Sequence, residues 1–148
     1  MGESGIVFAP ADIARAHGQL DAFAKEWDKQ TRKIVEQSAK RIAEDMRTTS
    51  LFVDRTGKGR ASIYSEPAKK VSALLGSGKV WAARFGAKQF YMRFLERGTK
   101  AHTQQRGKHP GIKEMRFAQL AVDSEQSVFD NEVKAAYEKA LSASRVPA

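Results

Sequence analysis

ADIARAHGQLDAFAKEWDKQTRKIVEQSAKRIAEDM, residues 11–46, decides how this chain folds. Apolar side chains recur at Ile13, Leu20, Phe23, Trp27, Ile34, Val35, Ile42 and Met46, in steps of three, four and seven, which is one face of an α-helix. Lys25, Asp28, Lys29, Arg32, Lys33, Glu36 and Lys40 fill the other side. Pro10 and Asp12 supply a start, because a proline and an acid in the first turn suit its free N–H groups and the helix dipole. No Gly or Pro intervenes between Gln19 and Thr56. A continuous helix from about residue 11 to 48 is roughly 55 Å long at 1.5 Å per residue, which exceeds the width of a domain this size. Either part of the stripe faces another subunit, or the helix breaks, or it lies along its own sheet. The last is the commonest arrangement.

Downstream the pattern changes. Leu51-Phe52-Val53 and Ser62-Ile63-Tyr64 are short β-prone pieces on either side of the glycine-rich link Thr56-Gly57-Lys58-Gly59. Val71–Leu75 and Val80–Phe85, separated by Gly76-Ser77-Gly78-Lys79, read as a hairpin. Tyr91, Phe94 and Leu95 fall at i, i+3, i+4 and predict a short helix that Gly98 closes. Residues 99–113, with Gly107, Pro110 and Gly111, read as an exposed loop. Helical spacing returns in two clusters, Phe117, Leu120, Ala121 and then Phe129, Val133, Tyr137, Ala140, Leu141. Residues 1–9 and 142–148 read as flexible tails. The whole chain, 1–148, is thus one α+β domain: a long N-terminal helix, a small antiparallel sheet and a C-terminal helix.

Composition removes whole classes of function. The 148 residues contain no cysteine, which excludes disulfides, thiolate catalysis and Cys-based zinc sites and fits a reducing compartment. There is no run of roughly 18 apolar residues for a membrane span, and Met1-Gly2-Glu3-Ser4-Gly5 does not open a signal peptide. The formal charge of +9 is unevenly spread. Residues 1–54 carry net −1 and 117–148 net −2, while 55–116 hold 15 basic and 3 acidic groups, net +12.

Catalytic and cofactor patterns fail in turn. Gly57-Lys58 and Gly78-Lys79 have Phe52 and Ala73 where a phosphate loop needs its first glycine, and Gly59 and Val80 where it needs Ser or Thr. His17 stands alone on the first helix; His102 and His109, with Glu96 and Glu114, match no compact metal-ligand spacing. No G-x-S-x-G elbow is present. No catalytic residue, cofactor or metal is therefore expected. Arg84, Lys88, Arg93, Arg97, Lys100, Arg106, Lys108, Lys113 and Arg116 are interleaved with Phe85, Phe90, Tyr91 and Phe94. Either the aromatics are core and the cations solvate the outside, facing some acidic partner, or residues 84–116 form a nucleic-acid-binding module that contacts phosphates and stacks bases. Aromatics at such spacing are more often core.

One set of blocks is more specific. It comprises Phe90-Tyr91-Met92-Arg93-Phe94-Leu95-Glu96-Arg97-Gly98-Thr99, then His109-Pro110-Gly111, then Phe117-Ala118-Gln119-Leu120-Ala121, preceded by Arg55-Thr56-Gly57-Lys58-Gly59-Arg60-Ala61-Ser62-Ile63. In this order they resemble the tail-completion or head–tail joining (neck) proteins of long-tailed double-stranded DNA bacteriophages. Gly59 stands where that family usually has Leu, and Arg116 where it usually has Pro. The resemblance implies a non-catalytic virion protein, made in the host bacterial cytoplasm. It further implies a ring, commonly a hexamer, at the neck or upper tail end, without a membrane. Its partners would be further copies of itself, head-connector proteins, tail-tube proteins and the genome DNA passing through the lumen. It also makes Thr56, Gly57, Arg60, Ser62, Tyr91, Phe94, Leu95, Glu96, Gly98, Thr99, His109, Pro110, Gly111, Phe117 and Ala121 candidates for fold or interface roles. Glu96, one of three acids in the basic segment, is expected to pair with a cation.

Overall fold

The computed structural model describes residues 9–73, 78–104 and 107–145, with backbone alone at 102–104. Helix α1 (Pro10–Thr48) is unbroken, with Pro10 in its first turn; at 39 residues it is about 58 Å long. Helix α4 (Phe117–Ser144) lies antiparallel against it, a pairing fixed by Ser124 facing Asp45 near one end and Lys139 facing Glu26 near the other. The 28 residues of α4 span only about 42 Å. Its last turn therefore ends beside Ala16 and Gln19, and the first turns of α1 project past it.

Between the helices come α2 (Lys58–Ala61), β1 (Ile63–Ser65), β2 (Lys69–Ser72), β3 (Lys79–Ala82), β4 (Phe85–Ala87), α3 (Met92–Arg97), β5 (His102–Gln104) and β6 (Gly107–His109). β1 pairs with β4 and β2 with β3, both antiparallel, so the segment 63–87 is one hairpin in two parts. The register changes by one residue between them: Ser65 faces Phe85, yet Lys69 faces Ala82. Three residues, Glu66 to Ala68, oppose two, a bulge formed where Pro67 has no N–H to give the ladder. Beyond it the outer part lies along α1, where Trp81 Nε1 donates to Asp28 at 3.0 Å and Lys70 pairs with the same carboxylate at 2.9 Å. Those contacts, Lys70 first, hold the Asp28 carboxyl below its ordinary range.

The core sits at one end of the helix pair. Ile42, Ala43 and Met46 of α1 meet Phe52, Ile63, Met92, Phe117 and Ala121 there. Residues 10–33 of α1, well over half the helix, contribute no buried side chain. α1 thus covers its own hairpin with its C-terminal third and middle, while Leu20 is 66% exposed and Ile13 48%.

Several expectations need correction. Leu51–Val53 is not a strand; it bends away from the end of α1 and sends Phe52 into the core. Residues 99–113 are not an open loop but a hairpin, β5 against β6, closed at its base by the Thr99–Ile112 bridge. Helix α4 continues through Ser142–Ser144, so the expected tail there is helical; 1–8 and 146–148 lie outside the described residues, as do Leu74, Leu75, Gly76 and Ser77. Leu120 and Tyr137 are exposed rather than core. On α3 the buried residue is Met92, 2% exposed, whereas Phe94 faces outward.

Candidate functional site

Most of the residues that carry the resemblance converge on one joint, where α3 meets the start of α4. Helix α4 has no acid in its first turn and no cap of its own. Glu96, 22 residues upstream of Ala118, supplies one: its two carboxylate oxygens accept the N–H groups of Ala118 at 2.9 Å and Gln119 at 3.1 Å. Within the subunit, the geometry gives Glu96 the role of a helix cap. A carboxylate on the free N–H groups and positive dipole end of a long helix is the more favourable use of that charge. Leu95 packs on the core beside it, and the carbonyls of Leu95 and Glu96 take the N–H groups of Met115 and Arg116.

Gly98 ends α3 at φ 67°, and a Cβ there would lie 2.7 Å from Ile112 O and 2.8 Å from Glu114 N, so only glycine fits. Thr99 then exchanges backbone hydrogen bonds with Ile112 and accepts its N–H on Oγ1 as well. His109 Nδ1 accepts the Gly111 N–H at 3.1 Å, while Pro110 is exposed between them. Arg116 at φ 49° leads the chain into Phe117. A proline ring, locked near −65°, cannot take that angle, which explains the departure at this position.

The upstream block forms a second joint against the first. Arg60 donates to Thr49 O at 2.6 Å, to Phe52 O at 2.9 Å and to Arg47 O, collecting carbonyls at the end of α1, and its guanidinium lies 4.6 Å over the Phe52 ring. Phe52 in turn meets Phe117 at 5.0 Å between ring centres. Asp54 accepts the Arg60 N–H at 2.7 Å, the main cause of its lowered pKa. Thr56 and Gly57 make the turn under it. A Cβ on Gly59 would lie 3.0 Å from the side-chain ends of Asp54, Tyr91 and Met92, so a larger residue here would need those side chains to shift. Ser62 Oγ donates to Gly59 O and accepts from Gln89 N, tying the turn to the α3 segment. Phe117 and Ala121 are buried beneath both joints. Most of these residues are engaged in holding the fold, while Thr56, Gly57, Phe94 and Pro110 are exposed.

The cations behave differently. Arg84, Lys88, Arg93, Arg97, Lys100, Lys108 and Lys113 are all exposed, and Arg106 lies outside the described residues. Phe85 and Tyr91 pack against the core, as expected of core aromatics, but Phe90 is 74% exposed and stands edge-on to Tyr91 and Phe94. Phe90 and Phe94, with Lys88, Arg93 and Arg97 around them, make an aromatic and basic knob on α3. Glu96, on the same helix, directs both its carboxylate oxygens to the start of α4.

The sequence reading missed the ion-pair network between the helices. Arg41 reaches from α1 to Glu125 at 2.6 Å and Glu132 at 2.8 Å, and these carboxylates raise its pKa further. Glu125 is 5% exposed. Its signal was present: it falls four residues after Ala121, on the buried stripe of α4. Among the described residues no group of three or more His, Asp or Glu side chains could hold a metal, and no helix is long and apolar enough to cross a membrane. Comparison of the chain with protein-family models, with curated proteins and with solved structures finds no match.

Proposed function

We propose that this chain is a non-catalytic structural subunit that assembles with copies of itself into a ring, as a hexamer, at the neck or upper tail end of a long-tailed bacteriophage, where it completes the tail and joins it to the head connector. The observation that carries the reading is the convergence of three sequence blocks, Thr56–Ser62, Tyr91–Thr99 and His109–Ala121, on adjoining joints that set the α1–α4 pair. Blocks whose residues are engaged in holding a fold are what a family of structural proteins would share. The projecting end of α1, with Ile13 exposed on it and Leu20 exposed beside the end of α4, supports contacts to neighbouring subunits. A closed ring needs a heterologous interface, made by two different patches of one subunit.

Light scattering and electron microscopy, on the purified chain and on tails carrying it, test this. The expected result is a ring of uniform diameter seated at the head-proximal end of the tail. Particles assembled without the protein that still carry attached, infectious tails would refute it.

A second reading, a nucleic-acid-binding module over residues 84–116, draws support from the exposed Phe90 and Phe94 among cations. It requires oligonucleotide binding that weakens steeply with salt; no binding at low ionic strength dismisses it.

A further inference from the structure

The knob on α3 has a counterpart elsewhere on the same chain. At the far flank of the helix pair, where α1 ends and α4 begins, Leu120 lies half exposed in a cleft of about 410 Å³ with Asp45, Thr48 and Ser124 along its walls. Asp123 is exposed on the next turn. Among the described residues the side chains of Asp45 and Asp123 meet neutral donors, the Ser124 hydroxyl and the Gln119 amide, and no cation. Arg93 and Arg97 likewise have no ion pair among the described residues.

The two patches cannot meet within one molecule. Ala118 lines the α3 side of α4 and Leu120 lines the cleft. Two residues apart on a helix, they point roughly 200° from one another. An aromatic knob flanked by Arg93 and Arg97 therefore faces one way, and a shallow, largely polar cleft that exposes Leu120 and is edged by acids faces the other.

We infer that the Phe90–Phe94 knob of one copy docks in the Leu120 cleft of the next, with Arg93 and Arg97 against Asp45 and Asp123. Burying the exposed phenylalanines and Leu120 supplies the apolar drive. The opposite charges set the orientation and reject knob-to-knob or cleft-to-cleft contacts, where like charges would face each other. Because knob and cleft are different patches, the contact is head-to-tail, and it closes into a ring or grows according to the angle between them. The inference rests on the self-assembling reading above and names the surfaces that reading would use.

Sedimentation velocity of the full chain over a wide concentration range tests it, with circular dichroism confirming unchanged helix content in every variant. The pair Arg93→Glu and Arg97→Glu should weaken self-association by roughly a hundredfold, and Asp45→Lys with Asp123→Lys should do the same. All four together should restore it. An equimolar mixture of the two double variants should assemble like the parent, since the native knob of one fits the native cleft of the other and the two charge-reversed patches fit each other. If both double variants assemble like the parent, the contact lies elsewhere; this pairing is overturned while the ring reading stands. A parent chain that stays monomeric throughout also overturns the pairing, whereas the ring reading falls only on the tail-attachment result. Single-stranded oligonucleotide binding that Phe90→Ser and Arg93→Glu abolish, with self-association untouched, assigns the knob to nucleic acid instead.

Discussion

Glu96 shows how far a single residue can be placed from its sequence neighbours. As one acid among fifteen cations it suggested a surface ion pair; in the fold it is the N-terminal cap of a 28-residue helix. Replacing it with alanine leaves two N–H groups without a partner and should cost about 1 kcal/mol in urea denaturation, the usual worth of a cap. Unchanged stability in Glu96→Ala would refute the role. Gly98→Ala should cost more, about 2 kcal/mol or above, because the left-handed φ is strained for alanine and the added carbon meets Ile112 and Glu114. That Gly98 would end a helix was readable, since a glycine after a short apolar i, i+3, i+4 pattern is a stop signal. That Met92 rather than Phe94 would face inward was not. A six-residue helix has too little periodicity to fix its own rotation, and the core above it chooses.

At the level of elements, the long helices were visible because their apolar spacing is sustained over many turns, and the hairpin at 69–82 because two β-prone runs flank glycines. The 99–112 hairpin was not, since its residues are polar and do not alternate; it forms because the Thr99–Ile112 bridge and the Gly98 turn hold its base. The pairing of α1 with α4 encloses one buried charge. Arg41→Met would strand Glu125 in the helix interface and should cost about 2–3 kcal/mol, toward the low end for a broken buried pair because the Arg41 side chain is itself 37% exposed. Adding Glu125→Leu should recover most of that loss, because an apolar pair of similar volume leaves no unpaired charge. If the double variant is no more stable than Arg41→Met, the network is not what joins the helices.

For the whole molecule, acid should unfold the chain through carboxylates that the fold keeps ionised. Asp54, held by the Arg60 N–H, Asp28, held by Lys70, Glu36, held by Lys40, and Glu26, held by Gln30, all lie below their ordinary values of 3.8 for Asp and 4.5 for Glu. Each binds its proton less readily folded than unfolded. Their contribution is therefore complete above about pH 5 and is lost as pH falls through the depressed values. The urea midpoint should stay level above that pH and drop below about pH 4. Asp54→Asn and Asp28→Asn together should flatten the drop; an equally steep fall in that variant would assign it to repulsion among the excess cations instead.

The sequence by itself determined the α+β class, the two long helices, the concentration of positive charge in 55–116 and the absence of cysteine chemistry, because these depend on periodicity and composition, which are local or additive. Only the tertiary structure decided that Glu96 caps α4, that Arg60 closes α1, that Arg41 is answered by Glu125, and that Phe90 is left outside with the cations while Phe85 and Tyr91 go in. Each of those outcomes depends on which distant segment comes within a few ångströms, and no spacing along the chain carries that distance.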